Sequence, residues 1–184
     1  MELTSVQKLA KALKCMVIII FVCNLLALLL VPTMAMLQNA GDLGDVIQNV
    51  ESLELASLAI VSWLWLWYLG AYHIVLAVFL WICGISTAII LWQAKKVLDR
   101  IIGGDLFSQE NAGHLRRAAI CSFVISVVSL LWAVCRAILG GLTELFALST
   151  LFFPVFFLAG LLFLVMSALF RQAAEMKEEN DLTI

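Results

Sequence analysis

Four side chains able to hold a charge or donate a proton lie in or beside long apolar runs, and these are where chemistry would be sought first. They are Tyr72, His73, Arg136 and Glu144. Their positions put them at a similar depth, near the same ends of three helical segments. A charge in that setting is costly unless it is paired or reaches water. The spacing therefore predicts an Arg136 and Glu144 pair with Tyr72 and His73 nearby. Two uses compete: an outward-facing ligand or proton site, or a structural pair that closes one end of a bundle. Nearness to water, where a charge is placed cheaply, favours the structural use. A second group is polar and lies outside the apolar runs. It comprises Phe107, Ser108, Glu110 and Asn111, then Arg116 and Arg117, and near the end of the chain Glu178, Glu179, Asn180 and Asp181. Ser108 suits a helix cap and Glu110 its first turn, where an acid favours the helix dipole.

Metal and covalent chemistry find less support. Cys15, His114 and Cys121 converge near one surface, yet a structural zinc site uses closely spaced Cys and His pairs, and none is present. The five cysteines lack C-x-x-C spacing and fall within or at the ends of apolar runs, where a free thiol acts as a small hydrophobe. No P-loop, G-x-S-x-G, H-E-x-x-H or paired-carboxylate motif occurs. The expectation is no metal, no cofactor and no enzyme.

Composition decides what must position these residues. With 64% hydrophobic and 13% charged residues in 184, and a mean hydropathy of +1.09, the chain exceeds what one soluble core can hide. It is read as a single integral membrane domain, 1–184. Ten of the eleven Lys and Arg fall in three clusters: Lys8, Lys11 and Lys14; Lys95, Lys96, Arg100, Arg116 and Arg117; Arg171 and Lys177. Short basic loops stay in the cytoplasm, so an even number of crossings with both termini inside is expected. A net charge of −2, with the bases hugging the membrane edge, argues against direct nucleic-acid binding.

The spans follow as about 15–37, 69–93, 118–139 and 145–170, an all-α bundle of four transmembrane helices. The first has the small-x-small look of a signal peptide at Thr33-Met34-Ala35 but is read as a retained span, because the chain starts at Met1. Pro32 should kink or end it. Segment 38–68 is outer, acidic and then Trp-rich. The apolar run from Ala56 to Gln93 would extend about 57 Å as a helix, nearly twice the hydrocarbon thickness. An interfacial or protruding helix is therefore expected before the second span, with Trp63, Trp65, Trp67 and Tyr68 as an aromatic belt and Trp92 marking the inner surface. Gly70, Ala77 and Gly84 form one packing seam, and Ala118, Ser122, Ser126, Ser129 and Ala133 another. Segment 94–117 is the cytoplasmic loop, with a break at Gly103-Gly104. Segment 171–184 is a cytoplasmic tail expected to fray or to find a partner, because its late acids oppose the helix dipole.

The stretch LDRIIGGDLFSQEN from Leu98 to Asn111, followed by Leu115, Arg116 and Arg117, resembles the bacterial membrane proteins called domain of unknown function 2975. The ending EENDLTI, Glu178 to Ile184, is similar to that family's usual close, with Ile184 where valine is more common. The resemblance covers roughly Leu69 to Ile184; the Trp-rich stretch and acidic loop are not characteristic of it. It implies four helices in the bacterial inner membrane and, in many members, a neighbouring gene for a helix-turn-helix regulator. It implies no known activity. The leading expectation is a non-enzymatic regulatory membrane protein whose loop and acidic tail bind a soluble partner, such as a transcription regulator. The tail is also placed to latch onto Arg116 and Arg117. Alternatives are a small-molecule or ion transporter, alone or as a homo-oligomer, working through Tyr72, His73, Arg136 and Glu144, and an envelope-stress or peptide-immunity protein meeting its ligand through the Trp-rich stretch.

Overall fold

A computed structural model describes residues 5–33, 57, 60, 63, 71–104, 108–141 and 148–181. These residues are helical wherever they are regular. The long helices are α1 (Ser5–Leu29), α2 (Ala71–Ile102), α3 (Gln109–Gly140) and α4 (Phe152–Asp181), with a 3-10 turn at Leu148–Leu151. All four are long and apolar enough to cross a bilayer, so the chain is a multi-pass membrane protein.

Each helix packs on its neighbours in sequence, α1 on α2, α2 on α3 and α3 on α4. The contacts run antiparallel. Lys14 meets Asp99 and Phe21 meets Trp92 across α1 and α2. Gln93 meets His114 and Phe79 meets Trp132 across α2 and α3. Phe123 meets Phe157 and Ala112 meets Ser167 across α3 and α4. All the described bases except Arg136 therefore lie at one end of the bundle, called here the basic end. Tyr72, His73 and Arg136 lie toward the other, the far end.

The most buried helix is α3. Its small-residue face is inside, with Ala118 and Ala133 at 3% exposure and Ser122, Ser126 and Ser129 at 1% or less. Ser122 Oγ bonds back to Ala118 O at 3.0 Å, while Ser126 Oγ crosses to Phe153 O at 3.1 Å. Small side chains permit that approach, and backbone oxygens in lipid reward a donor. At Gly160 of α4 an added Cβ would sit 3.0 to 3.1 Å from the Phe123 ring, so glycine there sets the spacing of α3 and α4. Gly84, one seam residue, does the same for α1, its Cβ position being 2.6 Å from Leu28 Cδ2. Ala77, the next, is fully buried, and Gly70 lies outside the described residues.

Several boundaries move. The 94–117 segment is mostly helix, because α2 runs nine residues past Gln93 and α3 begins nine before Ala118. At 32 residues each, these helices extend about 48 Å, well beyond roughly 30 Å of hydrocarbon. Six residues, 103–108, join them: Gly104 takes φ 87°, which favours glycine, and Ser108 caps α3, its side chain accepting from Asn111 N at 3.3 Å. Pro154 falls in the first turn of α4, where a missing N–H costs nothing, and so marks a helix start rather than a kink within a span. The turn at Leu30, two residues before Pro32, ends regular α1 as expected of proline. Of the stretch before α2, residues 57, 60 and 63 are helical. Trp63 Nε1 donates to Leu29 O at 3.2 Å and its ring stacks on Trp81 at 5.4 Å, which seats Trp63 against the end of α1 and the side of α2.

The two glycine contacts predict different costs. Gly160→Val should lower stability by about 1–3 kcal/mol, because the Phe123 ring is rigid and already close. Gly84→Ala should cost less, since the Leu28 side chain can change rotamer. Unfolding midpoints in one detergent would rank them, and equal midpoints for Gly160→Val and wild type would refute the packing account.

Candidate functional site at the basic end

Polar ties bind the helix ends together here. Gln7 Nε2 donates to Ile102 O at 3.2 Å, occupying a carbonyl left over at the end of α2. Lys14 Nζ lies 2.6 Å from Asp99 Oδ1. Arg100 forms an ion pair with Glu110 and reaches Ser108 Oγ at 3.4 Å, so one guanidinium spans the turn and holds both the cap and the first turn of α3. Each group is partly exposed, so the value of the ties is geometric more than energetic. Ser167 Oγ donates to Ala112 O at 2.7 Å, which fixes α4 against the start of α3.

His114 is the titratable residue with the most distinctive surroundings. Its Nδ1 lies 2.7 Å from Oε1 of the buried Gln93. Arg116 and Arg117 stand between it and the apolar run that begins at Ala118. Partial burial lowers its affinity for a proton, and the cations of Lys96, Arg100 and Arg117 lower it further.

The recognition residues expected from sequence are only partly gathered. Ser108 and Glu110 sit together under Arg100. Asn111 is fully buried and contributes to the cap through its backbone. Arg116 and Arg117 are exposed one to two turns further along α3. Glu178, Glu179 and Asn180 are exposed on α4, which also includes Asp181; Phe107 lies outside the described residues. Among the described residues the tail is helical: α4 continues to Asp181, with Arg171 Nε 2.9 Å from Glu175 Oε1. It does not latch back either. With Ser167 level with Ala112, Glu178 lies about 16 Å further out along α4, while Arg116 lies about 6 Å in the opposite direction.

At the far end, His73 is buried and meets Tyr72 edge-on at 5.5 Å, and Tyr72 leans on Trp132 at 5.7 Å. Arg136 is half-buried one turn beyond Trp132, at their depth. Glu144 lies outside the described residues, so its expected pairing does too. Among the described residues no group of three His, Cys, Asp or Glu is placed to hold a metal ion.

Sequence reasoning missed the cross-helix ties. Gln93 carried a signal, being a polar residue at the end of an apolar run that needs a partner when buried. Arg100 and Glu110 carried another, as opposite charges flanking a Gly-Gly turn.

Residues 49–184 match the family model described as Protein of unknown function (DUF2975). The chain belongs to that family. No curated protein and no solved structure matches it. The family match begins some twenty residues before Leu69, so the Trp-rich stretch, expected to lie outside it, falls within it. In this DUF2975 protein the matched region thus covers the seat of Trp63 on α1 and α2 as well as the capped turn.

The environment of His114 fixes a sign for pH dependence. Its folded pKa lies below the ordinary imidazole value of 6.5, so the folded state binds its proton less readily than the unfolded chain does. The associated stability is fully present above pH 6.5 and is lost as pH falls through the lower folded value. Acidification from pH 7.5 to 5 should therefore lower the unfolding midpoint of wild type more than that of His114→Gln. Parallel pH profiles would refute it.

Proposed function

We propose that this protein is a non-enzymatic interaction protein of the bacterial inner membrane, with the basic end and both termini in the cytoplasm. Its tail helix and capped turn dock a soluble partner there. Retention of short Lys- and Arg-rich segments on the cytoplasmic side supports the orientation. The single observation that carries docking is the form of the tail. Ala174 is the last buried residue of α4, and Glu175, Met176, Lys177, Glu178, Glu179 and Asn180 follow as exposed helix. Such a segment presents a rigid, mostly acidic rod with one apolar anchor, Met176, at 60% exposure. A complementary partner is basic with a shallow apolar pocket. A helix-turn-helix regulator fits that description, because a DNA-binding face is basic, and holding it at the membrane would be the regulatory act.

Two measurements test this. A C-terminal fluorescent-protein fusion should glow in cells while an alkaline phosphatase fusion at the same site stays inactive; the reverse would overturn the orientation. Full-length protein, a version cut after Arg171, and Glu178→Lys with Glu179→Lys should then be used to capture partners from detergent extracts. The reading expects a partner held by the full chain and lost, or weakened at least about tenfold, in both variants, as removal of about 1.4 kcal/mol or more would give. Identical partner lists would overturn the role of the tail.

A further inference from the structure

Between α1 and α2 an open crevice of about 340 Å³ is lined by Lys11, Lys14, Cys15 and Ile18 of α1 and by Ile102 of α2. Its chemistry changes along its length. Lys11 and Lys14 are the last bases before the apolar run that begins at Cys15, and Ile18 lies four residues, about 6 Å, further along α1 than Lys14. The facing side of α2 follows the same order. Asp99, Lys95 and Trp92 share one face with Ile102 at helical spacing, Asp99 meeting Lys14 and Trp92 meeting Phe21. Lys95 lies between those two contacts, its Nζ 4.8 Å from the centroid of the Trp92 ring. The charges do not cancel. Lys14 is offset by Asp99 at 2.6 Å, whereas among the described residues no carboxylate pairs with Lys11 or Lys95. The crevice is therefore cationic at its outer end and apolar below, with a tryptophan at the change, as at a membrane surface. A soluble anion would use only the outer half. A phospholipid presents phosphate and then chain in that order, and because the lysines repel a headgroup that carries an ammonium, an anionic headgroup fits best.

We propose that this crevice binds an anionic phospholipid, its phosphate at Lys11 and Lys14 and one acyl chain running past Ile18 toward Phe21 and Trp92. This goes beyond the docking of a soluble partner and stands independently of it, because the crevice opens at the edge of the apolar run whichever side of the membrane the basic end faces. Asp99 then has a second role. By pairing with Lys14 it competes with the phosphate and sets how tightly the lipid is held.

Full-length protein in detergent would be titrated with phosphatidylglycerol and with phosphatidylcholine of the same chains, and bound lipid counted by native mass spectrometry. Saturable binding is expected, with phosphatidylglycerol at least about fivefold tighter. Lys11→Gln should weaken phosphatidylglycerol about fivefold, the equivalent of ~1 kcal/mol for one lysine beside anionic lipid. Asp99→Asn should tighten it about two- to fivefold although it removes a tie between α1 and α2, a sign opposite to that of a merely structural role. Lys96→Gln makes the same change of charge at a residue that lies toward His114 instead, and should shift the affinity less than about twofold. Glycerol 3-phosphate, a headgroup without chains, should not displace the lipid at equal concentration. Equal affinity for the two lipids, or equal affinity of wild type, Lys11→Gln and Asp99→Asn for phosphatidylglycerol, would overturn the site, as would a loss in Lys96→Gln as large as that in Lys11→Gln. Displacement by glycerol 3-phosphate at the lipid's own concentration would overturn a lipid as the occupant. Lys11 is exposed and bears no ion pair, so Lys11→Gln decides where Asp99→Asn fails to unfold cooperatively.

Discussion

Close approach between α3 and its neighbours is the condition on which the bundle rests. Lipid tails are as apolar as leucine, so helices in a bilayer gain nothing from hiding apolar side chains from water; they associate through contact and hydrogen bonding. The α3 face of Ala118, Ser122, Ser126, Ser129 and Ala133 supplies both, since it is thin enough for backbones to meet and carries Ser126, whose hydroxyl donates across to the Phe153 carbonyl. Gly160 completes the arrangement from the opposite side by leaving room for the Phe123 ring. The large apolar side chains can then remain outside, and they do: Leu131, Leu158 and Leu162 are each at least 60% exposed, as lipid-facing residues should be.

Toward their ends the same helices are held by other means, and the two ends differ. The basic end is laced by ties between helices or across the turn, from Gln7 to Ile102, Lys14 to Asp99, Arg100 to Glu110 and Gln93 to His114. Such bonds are weak singly in water, yet each fixes one helix end relative to the next. The far end is aromatic. Trp63 on Trp81, Phe79 on Trp132 and Tyr72 against both His73 and Trp132 form broad contacts that need little charge. Trp92, with Lys95 Nζ 4.8 Å from its ring centroid, is the aromatic counterpart near the basic end. Polar ties thus fix the end proposed for docking, and ring stacking the end that carries Arg136.

The number and rough extent of the helices were legible in the sequence because hydropathy acts locally: any run of about twenty apolar residues must choose between lipid and a core too large for this chain. The small-residue seam was legible for a related reason, since its spacing is read from one helix alone. Helix ends beyond the membrane were not. Lys95 to Ile102 and Gln109 to Arg117 look polar enough for a loop, but they form helix because no Gly or Pro lies between Gln93 and Gly103, and because Ser108 restarts α3. The site was harder still. Arg100 with Glu110 and Gln93 with His114 depend on antiparallel register, which is set by packing of the whole bundle rather than by any local pattern. The latch failed for a metric reason: a helical tail has a fixed rise, so it cannot turn back on Arg116.

That rigidity also bears on what the tail is for. Glu178, Glu179 and Asp181 occupy the C-terminal end of α4, where the helix dipole is negative, and each acid there opposes it by about 0.3–1 kcal/mol. The helix persists because it grows from a packed, membrane-embedded segment, so no nucleation step is needed, and because Arg171 and Glu175 support the first exposed turn. A sequence selected only for helix stability would carry Lys or Arg at those positions. A cationic surface docked on the tail would therefore act twice, gaining its own attraction to the acids and relieving their conflict with the helix they end. On that argument the charge order that made the tail seem prone to fray is the same property that would make it a good acceptor for a basic partner.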